Sequence, residues 1–328
     1  MRHAALPAVI ASAFMCLLAC GDSGSGPSSG PPARLIVLDG ANQAGVFGQP
    51  TAVVPSVLVT DASNRPVSGV PVTFAVTPGS GTVRATTATT DALGTATPGE
   101  WRLGNSFATM ALLVTVTGLP TVTFTAKAIA PDAGVLAFTL TDPAGDTLPA
   151  TTILNPPAHD LLSMRGDFKR DSLILTMTFA APVTSAAAGG GTAVFGYIEF
   201  DIDESATTGT VPLSNNFGAS AAAGIDYVIT LIGNTTTTVR VVAPGGVSTT
   251  AAVAYSGNTL VMRIPMQALG NDDGRFAVVG AVGTLDRPTD VFPNASLFSV
   301  RPIASIAGWP LAVGLPTRAP SAPRALPP

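Results

Sequence analysis

Cysteine is almost missing. The two in the chain, Cys16 and Cys20, stand four residues apart near its start. The body beyond them therefore has no disulfide, no thiol nucleophile and no cysteine metal site. Histidine is nearly as scarce: beyond His3 only His159 remains. A Ser-His-Asp arrangement would have to use that one ring, set among Pro156, Pro157 and Asp160, and a zinc enzyme would need more ligands than exist. His159 itself reads as a surface or strand-edge residue. Charge is thin, at 11% of residues against about 25% in ordinary soluble domains. The chain has 17 Asp but 3 Glu, and 14 Arg but 2 Lys. Glu and Lys are the usual surface residues of exposed helices, so their scarcity argues against helices. Aromatic residues, at 6%, are too few for the girdles of an outer-membrane barrel. A net charge of −4 without a basic block argues against nucleic acid as a partner. No phosphate loop or dinucleotide fingerprint appears. The one Gly-x-Ser-x-Gly match, Gly26 to Gly30 around Ser28, has no strand before it and no helix after it, so it is not a nucleophile elbow.

What the chain does have is Thr, Val, Gly and Pro, a mix that favours short strands and tight turns. Past Cys20 no window holds 18 uninterrupted apolar residues. The most apolar stretch, Phe107 to Val116, is broken by Thr109 and Thr115.

Arg2, an apolar run from Ala4 to Ala19 and a flexible leader from Gly21 to Pro32 describe a secretory signal. Leu17-Leu18-Ala19-Cys20 resembles the lipobox of bacterial lipoproteins. The resemblance implies removal of residues 1–19, lipid on the sulfur and new amino group of Cys20, and a flexible leader over 20–32. The protein would then be anchored in the bacterial cell envelope, at the outer membrane or cell surface. Gly21 leaves outer-membrane sorting open and Asp22 weighs against it. The alternative is an ordinary signal peptide with an incidental Cys.

The segment 33–129 predicts a β-sandwich from several short strands with turn signals between them. The strands are Arg34–Leu38, Ala52–Thr60, Val70–Val76, Phe107–Val116 and Val122–Ala128. Val70, Val72, Phe74 and Val76 fall on one face at period two. Pro71 removes a backbone donor, so that strand lies at an edge or starts there. Val57-Leu58-Val59-Thr60-Asp61, Asn64 to Phe74, Gly79-Ser80-Gly81 and Thr90 to Ala96 together resemble the bacterial Ig-like domain of group 1, found in invasin- and intimin-like adhesins. The resemblance implies a spacer or presenting platform whose motif residues are structural. Gly69, Gly79, Gly81 and Gly94 would supply turn conformations, and Asp61 and Asp91 would bond nearby backbone groups. Trp101 reads as core, with exposed ligand contact as the alternative. Metal binding is the alternative for the two Asp residues.

The segment 131–302 follows a short hinge, Ala130 to Gly134, and reads as a second, larger β-sandwich, giving an all-β chain of two tandem sandwiches. The strands expected are Val135–Leu140, Asp160–Met164, Ser172–Phe179, Ala193–Asp203, Ile225–Ile232, Thr237–Val242, Thr259–Ile264 and Arg275–Val282. Pro265 to Gly270 predicts one helical turn. The strands around Leu175 and Ile198 are apolar on both faces, which predicts burial on both sides. Residues 303–328, rich in Pro and Ala, read as a mostly disordered tail.

Asp201 and Asp203 are two apart at a strand end and so point the same way. Converging carboxylates repel unless a cation or donor joins them, and calcium accepts such oxygens together with loop carbonyls. The alternatives are a calcium site and backbone capping. Asp142, Asp146, Asp160, Asp226, Asp272, Asp273 and Asp290 are further carboxylates, many of them readable as turn residues. Gly145-Asp146, His159-Asp160-Leu161, Phe200-Asp201-Ile202-Asp203 with Thr208-Gly209, Gly224 to Tyr227, Ile264-Pro265 with Leu269-Gly270, and Asp290 with Pro293-Asn294 resemble the β-sandwiches of DOMON and family 9 carbohydrate-binding modules. That resemblance implies ligand binding or a structural accessory role, with a structural calcium. A haem site does not carry over, because the body lacks a suitable His and Met pair, His159 being its one histidine.

The expectation is thus a lipid-anchored envelope protein that displays β-sandwiches for adhesion or for capture of a glycan or protein, and not an enzyme. A purely structural envelope component and an accessory protein of a secreted hydrolase system are the alternatives.

Overall fold

The computed structural model describes residues 29–148, 159–217, 221–232, 235–285, 287–294 and 297–300. The signal, Cys20, most of the leader and the tail lie outside the described residues.

The N-terminal body carries β1 (Arg34–Asp39), β2 (Gln43–Val46), β3 (Ser56–Thr60), β4 (Pro71–Val76), β5 (Thr82–Val83), β6 (Thr87–Thr89), β7 (Thr95–Ala96), β8 (Trp101–Arg102), β9 (Met110–Thr115) and β10 (Val122–Ile129). One sheet runs β1-β3-β7, the other runs β2-β10-β9-β4-β6, and β5 pairs with β8. Alternation does what the sequence requires of it. Val72 and Phe74 of β4, Met110, Leu112 and Val114 of β9, and Phe124 and Ala126 of β10 are buried opposite Val57 and Val59 of β3, while Thr73, Ala75 and Thr115 face outward. The core of this sandwich lies between the two sheets. Strand β4 does begin at Pro71, and it lies inside the edge strand β6. The second apolar segment starts later than expected, at Ser56, past Pro55.

Two turns repeat one design. Asp61 Oδ1 accepts from the N–H of Ser63 and Arg65 at 2.8 and 2.9 Å, and Asp91 Oδ1 accepts from Leu93 and Thr95 at 2.8 and 2.9 Å. The fourth residue of each turn is left-handed, Asn64 at φ 61° and Gly94 at φ 72°. Asn tolerates that conformation. At Gly94 there is no choice, because a Cβ would lie 2.7 Å from the Val59 carbonyl oxygen. Asp61 also takes the N–H of Gly30 and the Arg65 guanidinium on Oδ2.

Those donors, Gly30 first and Arg65 next, hold the Asp61 carboxyl down at about 2. Its folded value lies below its ordinary one, so the stability it contributes is complete above about pH 4 and fades as pH falls towards 2. Asp61→Asn should therefore flatten part of the acid limb of the stability curve. Denaturation midpoints of parent and variant between pH 5 and 2 should converge as pH falls, and a constant gap would contradict the assignment.

The C-terminal body carries β11 (Val135–Thr141), β12 (Leu161–Lys169), β13 (Ser172–Phe179), β14 (Thr184–Ser185), β15 (Ala193–Asp201), β16 (Tyr227–Thr230), β17 (Thr238–Val242), β18 (Ser248–Ser256), β19 (Thr259–Pro265), β20 (Phe276–Gly283), β21 (Pro288–Phe292) and β22 (Phe298–Val300). All belong to one sheet with the path β11-β12-β13-β19-β18-β17-β16-β15-β20-β21, with β14 beside β15 and β22 beside β20. The sheet curls on itself. Phe138 of β11 meets Phe298 of β22 at 5.6 Å and Phe276 of β20 at 6.1 Å, so the first strand comes over the last. Leu173, Leu175, Met177 and Phe179 point into the enclosed core at full burial. Strand β20 is buried along its whole length. One face joins the main core, while Val279 and Ala281 join a second apolar cluster with Ala221, Ala223, Ile225 and Val291. The expected helical turn is a 3-10 helix, Met266–Leu269, closed by left-handed Gly270.

The two bodies are packed together. Phe107 lies 4.7 Å from Phe47 in its own body and 5.1 Å from Phe168 in the other. The segment read as a hinge is fastened, since the Ala130 N–H donates to the Arg170 carbonyl at 2.7 Å and Ala130 is buried.

Candidate functional site

The end of strand β15, the turn after it and the segment entering β16 bring three acids together at one end of the C-terminal body. Asp201 ends the strand and is buried, Asp203 follows it in the open, and Asp226 comes in just ahead of β16. One oxygen from each lies within 4.8 Å of the others. The turn saturates much of this ring. The Ser205 N–H donates to Asp201 Oδ1 at 3.1 Å and to Asp203 Oδ1 at 3.0 Å. The Thr208 hydroxyl donates to Asp203 Oδ2 at 2.8 Å, and the Ile202 N–H donates to Asp226 Oδ2 at 3.0 Å. Burial raises Asp201 above the ordinary carboxyl range, against the backbone donors Ser205 and Gly224. The same geometry caps a turn and presents oxygens, so a cation here would have to share Asp203 with Ser205 and Thr208.

Glu199, two residues earlier on β15, is fully buried. It accepts from the Leu213 N–H at 2.6 Å, the Ser214 N–H at 3.0 Å and the Ser214 hydroxyl at 2.7 Å. Burial raises its carboxyl, and the three donors pull it back down, the Ser214 hydroxyl most of all. These bonds pin a 3-10 helix, Leu213–Phe217, to the outer face of the sheet. The pinned segment holds Val211 at 74% and Leu213 at 47% exposure, with Phe217 also exposed.

A second group of acids, which the sequence presents as turn residues, also comes together. Asp142 follows β11, Asp146 stands four residues on, and Asp290 lies in β21, with one oxygen from each within 4.8 Å of the others. Burial and then the Asp290 carboxylate push Asp142 up to about 7. Burial likewise takes Asp290 to about 6, against a hydrogen bond from Leu161.

His159 corrects the expectation of a surface or edge residue. It is buried, and its Nε2 lies 2.9 Å from the Ala193 carbonyl oxygen. That nitrogen must donate, so it carries the ring proton. Burial lowers the ring's proton affinity, and the residue serves packing between β15 and β21. Trp101 is core, fully buried with its Nε1 donating to the Ser80 carbonyl at 2.9 Å. Among the described residues no helix is long and apolar enough to cross a membrane.

No protein-family model and no curated protein matches the chain. Solved structures do align with it. The D0-D1 domain of intimin is 8% identical, spanning 82% of this chain and 97% of that one with a TM-score of 0.25. The adhesin InvE of Yersinia pseudotuberculosis is 16% identical, spanning 86% of this chain and 63% of that one with a TM-score of 0.28. Domains 5-6 of the S-layer protein SbsC are 10% identical, spanning 82% and 96% with a TM-score of 0.22. The all-β class rests on this chain's own strands and sheets, and not on these superpositions.

Proposed function

We propose that the chain is a lipid-anchored envelope protein, held at Cys20, whose two sandwiches present a binding surface for a protein or glycan and perform no catalysis. One observation carries the binding half of this reading. The segment around Leu213 offers apolar side chains to solvent from a backbone that Glu199 fixes in advance. Apolar contact area held rigid costs little to order on binding, and apolar anchors in place of scattered charge are what protein interfaces concentrate at their centres. The aromatic relay Phe47–Phe107–Phe168 supports display, because it couples the body nearer the leader to the body that carries this surface.

The test is capture by the purified chain, begun at residue 20, on arrays of matrix proteins and glycans. Binding that falls at least about tenfold in Val211→Ser/Leu213→Ser, equivalent to about 1.4 kcal/mol, is the expected result. Uniformly blank arrays would return the protein to the structural-component reading. Turnover of glycoside, ester or peptide substrates would overturn the non-catalytic one.

A further inference from the structure

The curled sheet of the C-terminal body has two ends, β11 and β21. At the place where they approach, the joint is made largely by side chains from β21 and the segment entering β12. Thr289 Oγ1 accepts from the His159 N–H at 3.0 Å and donates to the His159 carbonyl at 2.9 Å. Asp290 Oδ2 accepts from the Leu161 N–H at 2.6 Å. Asp160 Oδ2 accepts from the Gly145 N–H at 2.9 Å, which ties down the loop carrying Asp142 and Asp146.

The same acids show a second pattern. Asp290 is 1% exposed, and Asp142 and Asp160 are 8% exposed. Each nevertheless leaves one buried oxygen, Asp290 Oδ1, Asp142 Oδ2 and Asp160 Oδ1, with no hydrogen-bond partner among the described residues. A buried polar atom without a partner is costly, and a buried carboxylate beside other carboxylates more so. Asp290 and Asp160 are thus anchored by a backbone donor on one oxygen while the other is unpaired among the described residues. The Asp146 carboxylate closes the group on the solvent side and takes a hydrogen bond from the Asn294 side chain.

We propose that Asp142, Asp146 and Asp290, backed by Asp160, form a calcium site that clasps the two ends of the sheet. The donor set is oxygen alone, which selects a hard cation. The ligands come from two separated parts of the chain, the loop after β11 and strand β21, and such an irregular set suits the variable coordination of calcium better than the strict geometry of magnesium. The ion would satisfy the unpartnered oxygens, cancel the mutual repulsion, and bind β11 to β21 where no backbone ladder joins them. This site is distinct from the Asp201–Asp203–Asp226 ring, whose members are held by donors in the turn, and it does not depend on what the protein binds outside.

The test is a thermal melt of the full chain, stripped with EDTA and confirmed metal-free by elemental analysis, then titrated with calcium chloride. At about a hundredfold excess over Kd the midpoint should rise by roughly 5–10 °C. The rise should vanish in Asp142→Asn/Asp290→Asn and survive in Asp201→Asn/Asp203→Asn. In the first variant the metal-free midpoint should match or exceed that of the metal-free parent, because Asn keeps the acceptor for Leu161 and removes the repulsion. An unchanged parent midpoint, or a rise that persists in Asp142→Asn/Asp290→Asn, overturns the proposal. Should that pair fail to fold, Asp146→Asn on the solvent side is expected to weaken calcium binding by on the order of tenfold, and an unaltered calorimetric Kd overturns the proposal equally.

Discussion

Trp101→Ala should cost the N-terminal body about 3–5 kcal/mol. The ring is fully buried and is the largest side chain in that state among the described residues. It sits on β8, which has two residues and a single partner strand, β5, equally short. Strands of that length hold little by their own ladder. What fixes them is a close crossing of two backbones, together with backbone hydrogen bonds between residues 101–103 and residues 48–51. A Cβ on Gly81 would lie 2.0 Å from the Arg102 carbonyl oxygen, and one on Gly104 would lie 1.9 Å from that of Gly79. The indole fills the space beside this crossing, and its Nε1–H satisfies the Ser80 carbonyl. Truncation therefore leaves a cavity and an orphaned acceptor together, the second worth about 1 kcal/mol or more. Urea denaturation followed by circular dichroism should show a lower midpoint with an unchanged slope. Trp101→Phe should recover part of the loss, since it restores apolar volume but not the donor. A loss below about 1 kcal/mol in the Ala variant would mean that the crossing holds without the ring.

Glu199→Ala should be nearly as damaging, at about 3 kcal/mol or more, since three donors lose their acceptor at once. The Leu213 and Ser214 N–H groups and the Ser214 hydroxyl all converge on this carboxylate. Glu199→Gln separates shape from charge. The carboxamide keeps one oxygen but turns an NH2 towards N–H groups, so at least one donor goes unmet. Removal of the buried charge offsets part of that, and a smaller loss than in the Ala variant is expected. Limited proteolysis gives an independent reading. Cleavage within residues 202–226 should accelerate in the Ala variant while the sites in the N-terminal body keep their rates. Equal stability of all three proteins would show that the 3-10 helix is held by its apolar contacts alone.

How much of this was legible beforehand depended on distance along the chain. Alternation predicts β13 at its observed bounds because Leu173, Leu175, Met177 and Phe179 bury one face with large residues. Strand β18 went unread. It buries Ala251 and Val253 and exposes Thr, Ser and Ala, and small residues at period two carry too little contrast. The sequence predicts five residues, Asp160–Met164, where β12 has nine, because Arg165 and Lys169 hide its continuation. The Asp201–Asp203 pairing was visible because two residues on one strand end must share a face. The grouping of Asp142 with Asp290 was not, since 148 positions separate them and only the curl of the sheet joins them. His159 was misplaced for the same reason: its partners, Ala193 and Thr289, lie 34 and 130 positions away. Glu199 looked like one polar residue on an apolar strand, and no local pattern could say that a helical turn 14 residues on was waiting for its oxygens.

The twin turns at Asp61 and Asp91 separate what must stay from what can change. In each, one carboxylate oxygen and one left-handed residue determine the path of the chain, and the third position contributes only its backbone N–H. Ala62 and Ser63 in one turn, and Ala92 and Leu93 in the other, are all exposed. Mutation there meets almost no resistance from stability, so these four positions are free to drift, to diversify under selection by a ligand, or to accept grafted residues while the sandwich beneath keeps its form.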